Sequence, residues 1–304
     1  MRNPLIYLLI LLEYAILAST FTLAKKTLNF SPPVFLIAIR LLLAGSLLCT
    51  YSVMRKQISW AKVKEDAGLF IQVGLFHAYL AFIPEFWALQ FMSSAKVSII
   101  YAITPFIAAV LSWLLYRERL SWNQILAMVI ALGALLPLVL LESDPAELAT
   151  IAEISLPELV LFGSVSSAAY AWFVVKRLMN AGHSLAFING VAMLLGGLLA
   201  TPTALWFEGR PWEAVSDWWQ FLSWLGLLIL AAHVVSFNLY GWILTRVSIT
   251  LMMFCGFLCP IFSTVFGWAF LNEGFTWHAF TALAGLTVGL ALFTWVPRKI
   301  PSFH

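Results

Sequence analysis

Residues 88–122, ALQFMSSAKVSIIYAITPFIAAVLSWLLYRERLSW, return 155 positions later as residues 243–277, ILTRVSITLMMFCGFLCPIFSTVFGWAFLNEGFTW. Ser93, Pro105, Trp113, Glu118 and Trp122 fall on Ser248, Pro260, Trp268, Glu273 and Trp277, and Trp87 falls on Trp242. Six identities at one fixed offset point to a duplicated unit. The start of each copy matches more weakly at an offset of 151: Lys25 and Lys26 fall on Lys176 and Arg177, and Gly45 on Gly196. The change from 151 to 155 implies one insertion between the second and third helices of a copy.

Of the 304 residues, 62% are apolar and 10% charged, which excludes an ordinary soluble domain. A membrane-spanning helix needs about 20 mainly apolar residues. Such stretches lie at 4–24, 33–53, 68–90, 95–116 and 122–141, and again at 158–179, 184–207, 219–243, 249–271 and 275–296. They are too long and too uniformly apolar for barrel strands, which alternate over about ten residues. The fold class is therefore an all-α integral membrane protein of ten transmembrane helices. An odd number of spans per copy inserts the second copy upside down. Residues 1–141 form the first five-helix repeat, 142–157 an external acidic linker and 158–304 the second repeat. Inverted repeats with a site at their mid-membrane interface are typical of secondary transporters.

Basic residues set the orientation. With a cytoplasmic N terminus, the inner side receives Arg2, Arg55, Lys56, Lys62, Lys64, Arg117, Arg119, Lys176, Arg177, Arg246, Arg298 and Lys299. The outer side receives only Lys25, Lys26, Lys96 and Arg210, so both termini are expected in the cytoplasm. The net charge of +3 reflects this bias and requires no nucleic-acid partner. Cys49, Cys255 and Cys259 sit in apolar stretches and make neither a zinc spacing nor a structural disulfide. The opening apolar run is interrupted by Glu13 and lacks a small-x-small cleavage site, so it reads as an uncleaved first helix. Residues 55–67 read as a short basic helix on the inner face.

Glu13 is the most informative single residue. A carboxylate in the middle of a membrane helix costs roughly 3 kcal/mol or more. It either binds a cationic group or coupling proton, or makes a structural bond to a neighbouring helix. Arg40 lies about 10 Å below the outer end of helix two and Glu85 about 8 Å below that of helix three, at 1.5 Å per residue. Similar depth makes them an expected outer-side pair; the alternative for Arg40 is snorkelling to the headgroups. Its planar fork suits a substrate carboxylate. Further polar candidates are His77, Tyr79, Tyr101, Tyr170, Asn189, His233, Asn238 and Tyr240. His77 and His233 nearly coincide after the 155-residue shift. Asn238 and Tyr240 are two apart and face different directions, so one of them is expected to reach the cavity. Tyr14, Tyr101, Tyr170 and Trp172 lie deep enough to stack on a planar or cationic substrate, or to pack among helices. Trp60, Trp113, Trp122, Trp206, Trp212, Trp218, Trp219, Trp268, Trp277 and Trp295 fall at helix ends, where interfacial belts collect tryptophan. Pro105 and Pro260 interrupt helices four and nine and free carbonyls to line a cavity. Glu118 and Glu273 read as caps and gate supports. No Walker loop, HExxH, CxxC or nucleophile elbow is present, so neither an enzyme nor a cofactor is expected.

The two 35-residue stretches resemble the signature of the drug/metabolite transporter superfamily in its EamA-type branch: a small polar turn, a helix with a central proline and a glutamate at the far end. Residues 25–45, KKTLNFSPPVFLIAIRLLLAG, look like that branch's opening hairpin, in which a basic residue closes helix one and an arginine sits in helix two. The branch often has Trp-Gly in the middle of helix one, where this chain has Glu13, Tyr14 and Ala15. The resemblance covers the chain and implies a multi-pass protein of the inner, cytoplasmic membrane with a cavity bordered by helices one, three, four, six, eight and nine. It implies alternating-access transport of a small organic solute, coupled to a proton or counter-substrate. Glu13, Arg40 and several aromatic rings suit an amino-acid-like zwitterion or a cation with a planar ring. S-adenosylmethionine, which some transporters of the branch carry, fits as the alternative. A channel or membrane scaffold is the reading from another class.

Overall fold

The structure is a computed structural model that describes residues 4–88, 91, 100–141, 155–271 and 278–295. Every regular element among them is helical. The apolar helices are α1 (Pro4–Leu28), α2 (Pro33–Met54), α3 (Ala67–Ala88), α4 (Ile100–Tyr116), α5 (Trp122–Leu141), α6 (Leu156–Asn180), α7 (Leu185–Glu208) and α8 (Trp218–Leu244). They continue with α9, in two pieces (Ile249–Cys255 and Leu258–Leu271), and α10 (His278–Trp295). Among the described residues, α1, α2, α3, α6, α7 and α8 are long and apolar enough to cross a membrane, and the others contain shorter apolar helices at the remaining expected positions. Most of the 142–157 linker, Glu273 and the chain ends lie outside the described residues.

Local chemistry fixes several helix starts. Pro33 stands in the first turn of α2, where no amide donor is needed. Ser155 and Glu158 form a capping box on α6. Ser184, Asp217 and Ser248 cap α7, α8 and α9 through side-chain oxygens that accept from backbone N–H groups. The basic segment after α2 contains a short helix, Trp60–Glu65, with no buried residue. It is tied to the second half by Asp66 to His183 Nε2 at 2.8 Å and by Lys62 Nζ donating to the Ala181 carbonyl at 3.3 Å.

The halves are joined along two close seams. In α2 against α7, a Cβ on Gly45 would stand 2.6 Å from the backbone nitrogen of Leu194, and one on Gly197 2.9 Å from that of Leu42. In α5 against α10, a Cβ on Gly285 would meet the Ala134 Cβ at 2.1 Å. Neither approach is open to a larger residue, which is how apolar helices gain contact where lipid supplies no hydrophobic drive. On the outside, large apolar side chains remain exposed, and Trp122, Trp206 and Trp219, at helix ends, are 84%, 84% and 79% exposed. This is the placement expected of an interfacial belt.

Two departures from regular α-helix occur in both copies. Val73–Tyr79 of α3 and Ile229–Ser236 of α8 are π-helical, each with one histidine. The second departure is a break. α4 is interrupted at Ile103, just before Pro105, and α9 at Gly256 and Phe257, just before Pro260. Both kinds of irregularity release backbone carbonyls from the i to i+4 ladder, and both collect at functional sites.

Candidate functional site

The irregular segments of α8 and α9 meet α1 around Glu13. Its side chain is fully buried; Oε1 accepts from the Ser236 hydroxyl at 2.5 Å, and Oε2 has no partner among the described residues. Next to it, the Tyr14 hydroxyl donates to the Met252 carbonyl. That carbonyl is free because the Gly256 amide bonds Met253 instead, at 3.0 Å, where α9 breaks. The Tyr14 ring meets the edge of Tyr240 at 6.4 Å, and Tyr240 stacks on Trp172 of α6 at 4.1 Å and 29°. Trp172 in turn contacts Phe237 at 5.8 Å and His77 at 4.7 Å. An acidic oxygen therefore lies beside a continuous wall of aromatic rings.

A second cluster adjoins it through Phe237, whose ring lies 5.1 Å from His77 and 5.3 Å from His233. Both histidines are buried, and Nε2 of His77 and both ring nitrogens of His233 have no hydrogen-bond partner among the described residues. Phe82 lies 6.4 Å from His233 and carries the Arg40 guanidinium 4.5 Å above its face. Arg40 is 5% exposed and its Nε is unpartnered among the described residues. Asn189 donates to the Asn238 amide oxygen at 3.4 Å and keeps its own Oδ1 free among them. Buried polar atoms are normally satisfied, and these six, without a protein partner among the described residues, are left available to water or a ligand.

Glu13, Tyr14, Arg40, His77, Trp172, Asn189, His233, Asn238 and Tyr240 are brought into these two clusters. The expected Arg40–Glu85 ion pair is not formed among the described residues. The two groups interact electrostatically, but the guanidinium rests on Phe82, and the Glu85 carboxyl has the Tyr101 hydroxyl as its hydrogen-bonding partner. Similar depth did not settle direction. Tyr79 bonds Thr203 at 3.0 Å toward α7. Tyr170 donates to Gln72 at 2.7 Å and borders a separate groove of about 530 Å³ between α3 and α6. Of Asn238 and Tyr240, the tyrosine joins the aromatic wall. Asn238 closes the loose π-turn by donating to the His233 and Val234 carbonyls at 3.1 and 2.9 Å. Pro105 and Pro260 stand at the breaks, and Glu118 is exposed just after left-handed Arg117. Ser236, Phe237 and Phe82 were missing from the sequence reading. Nothing separates them there from other serines and phenylalanines.

The repeat supplies an internal control for Glu13. At the 151-residue offset its counterpart is Ser164, and at the 155-residue offset the counterpart of Ser236 is Ala81. These counterparts also touch: the Ser164 hydroxyl donates to the Ala81 carbonyl at 2.6 Å. The same kind of contact between the copies is thus made at α6–α3 by a neutral hydroxyl and at α1–α8 through a carboxylate.

The EamA-like transporter family model matches residues 4–140 and again 155–295. The chain belongs to that family. Its EamA-like units account for both halves, and the drug/metabolite transporter reading of the sequence stands. Among curated relatives, the S-adenosylmethionine/S-adenosylhomocysteine transporter of Chlamydia muridarum (strain MoPn / Nigg) is 27% identical over 294 residues, 95% of this chain and 92% of that protein. The protein of the same description from Chlamydia trachomatis serovar L2 is 28% identical over 288 residues, 93% of this chain and 87% of that one. A solved crystal structure at 18% identity has a TM-score of 0.74 and covers 98% of this chain and 100% of its own, which extends the fold of this EamA-like protein to an experimental example.

Proposed function

We propose that this EamA-like protein carries S-adenosylmethionine, and S-adenosylhomocysteine in exchange, across the cytoplasmic membrane by alternating access. The observation that carries the reading is the buried Glu13 carboxylate, half unpartnered, set against the wall of Tyr14, Tyr240 and Trp172. A sulfonium next to a planar purine needs an anion, cation-binding ring faces and a stacking surface. Full-length similarity to the Chlamydia transporters supports the same substrate. In this reading Glu13 and the rings take the sulfonium and adenine. Arg40, with His233 beside it, takes the carboxylate, and Asn189 Oδ1 accepts from the exocyclic amine. His77 and His233 sit in paired π-turns of α3 and α8, where loosened backbone lets the wall shift between states. The frame is ten spans in two inverted five-helix repeats, 1–141 and 158–304, with the 142–157 linker outside and both termini inside.

Counterflow in liposomes tests the reading. Vesicles preloaded with unlabelled S-adenosylmethionine or S-adenosylhomocysteine are expected to accumulate labelled S-adenosylmethionine saturably. Competition by amino acids alone would move the substrate to the simpler zwitterions, and non-saturable flux would indicate a channel. Tags at His304 and within 55–64 are expected to be cytoplasmic and one at Glu147 external; His304 and Glu147 on one side would overturn the inverted frame.

A further inference from the structure

S-adenosylmethionine carries one more positive charge than S-adenosylhomocysteine, because its sulfonium becomes a neutral thioether when the methyl group is lost. A site that alternates between them must therefore accommodate a change of one charge inside an apolar bundle. Among the described residues, Glu13 is the one acidic group at the aromatic wall. The other carboxyl within the apolar helices of the first half, Glu85, faces Tyr101 and Arg40 instead. The groups that face Glu13 are Tyr14 from α1, Ser236 and Tyr240 from α8, and Cys259 from α9. They offer hydroxyls and a thiol but no cation. Arg40, the one buried arginine or lysine among the described residues, interacts with Glu85 and His233. An ionised Glu13 is thus compensated only when a ligand brings a positive charge. The neutral Ser164–Ala81 contact between α6 and α3, the repeat-related counterpart of Glu13–Ser236, shows that the helix packing itself does not require a carboxylate.

We propose that Glu13 balances the charge of exchange: it is ionised with S-adenosylmethionine bound and protonated with S-adenosylhomocysteine bound, so that each S-adenosylhomocysteine crosses with one proton. This rests on the substrate reading above. In one turnover S-adenosylmethionine moves one positive charge inward, and the proton leaving with S-adenosylhomocysteine moves one outward. Net charge transfer is zero.

The test uses the purified wild-type protein in liposomes loaded with S-adenosylhomocysteine, with labelled S-adenosylmethionine outside. A tenfold potassium gradient with valinomycin is expected to leave the final exchange ratio unchanged, whereas a lumen one pH unit more acidic is expected to raise it about tenfold. An enclosed pH dye is expected to report lumenal alkalinisation in step with label entry during this exchange, and none during exchange of S-adenosylmethionine for itself. An exchange ratio that follows the potential and ignores pH overturns the inference while leaving the substrate reading intact. No S-adenosylmethionine counterflow at all overturns both. Calorimetric displacement of S-adenosylhomocysteine by S-adenosylmethionine, in buffers of different ionisation heat, assigns the group. Close to one proton is expected to be released by wild type and Glu13→Asp, and none by Glu13→Gln. The same release from Glu13→Gln would remove Glu13 from the role.

Discussion

The contact of α1 with α8 and that of α6 with α3 are related by the repeat, each joining one copy to the other, yet they are built from different chemistry. Between α6 and α3, three side chains fasten the helices: Ser164 to the Ala81 carbonyl, Ser167 to the Phe76 carbonyl at 2.9 Å and Tyr170 to Gln72. Two of the bonds end on backbone oxygens in or beside a π-turn. Between α1 and α8, one serine meets a buried carboxylate that keeps an oxygen unpartnered among the described residues. The first contact is saturated and neutral, and the second is left open. A duplicated fold can hold one copy of a contact fixed and free the other for a ligand.

The largest effect is expected from making the two contacts alike in the wrong direction. Ser164→Glu places a carboxylate against the Ala81 carbonyl with no donor facing it. A loss of about 3 kcal/mol or more is expected, read as loss of the folded peak in detergent size exclusion. Normal yield and elution would mean that the α6–α3 contact is as permissive as its counterpart. Glu13→Gln is expected to fold, because Ser236 can still donate to an amide oxygen. S-adenosylmethionine affinity should fall by about 1.5–3 kcal/mol, roughly ten- to 150-fold, measured by equilibrium binding. Wild-type affinity would make Glu13 as structural as Ser164.

A smaller effect separates Arg40 from its expected partner. In double-mutant cycles, Arg40 with Phe82 is expected to couple by about 0.5–2 kcal/mol. Arg40 with Glu85 should couple less, since no direct ion pair joins them; the reverse order in thermal-stability measurements would restore the direct pair. Tyr170→Phe should cost least, about 0.6 kcal/mol as for typical bonds between membrane helices. It should leave ligand affinity unchanged, because Tyr170 faces the α3–α6 groove and not the aromatic wall. A drop in affinity would join that groove to the site.

Much of the frame was legible because membrane helices announce themselves by length and hydropathy, and because Pro105 and Pro260 kept a common spacing. Glu13 stood out for the same physical reason that makes it costly. Direction within a helix was harder to read. Periodicity assigns a face by assuming 3.6 residues per turn, and π-turns at 73–79 and 229–236 add residues to that count. Tyr79, at the end of one such turn, points to Thr203. Ser236, at the end of the other, reaches Glu13. Arg40 was placed by depth alone, and depth does not distinguish a carboxylate from a phenyl face at the same level. Small hydroxyls such as Ser164 and Ser167 carry no signal until a carbonyl is found opposite.

The glycine seams set a schedule for the newborn chain. Gly45 rests against Leu194, and Ala134 against Gly285, so neither half can close its own tightest contact. At about 5–20 residues per second of synthesis, α2 waits roughly eight to thirty seconds in the bilayer before its partner emerges. During that interval its groove of small residues is open to lipid and to unrelated helices. The first half of this protein is therefore the part most in need of protection by the insertion machinery, although it is the second half that completes it.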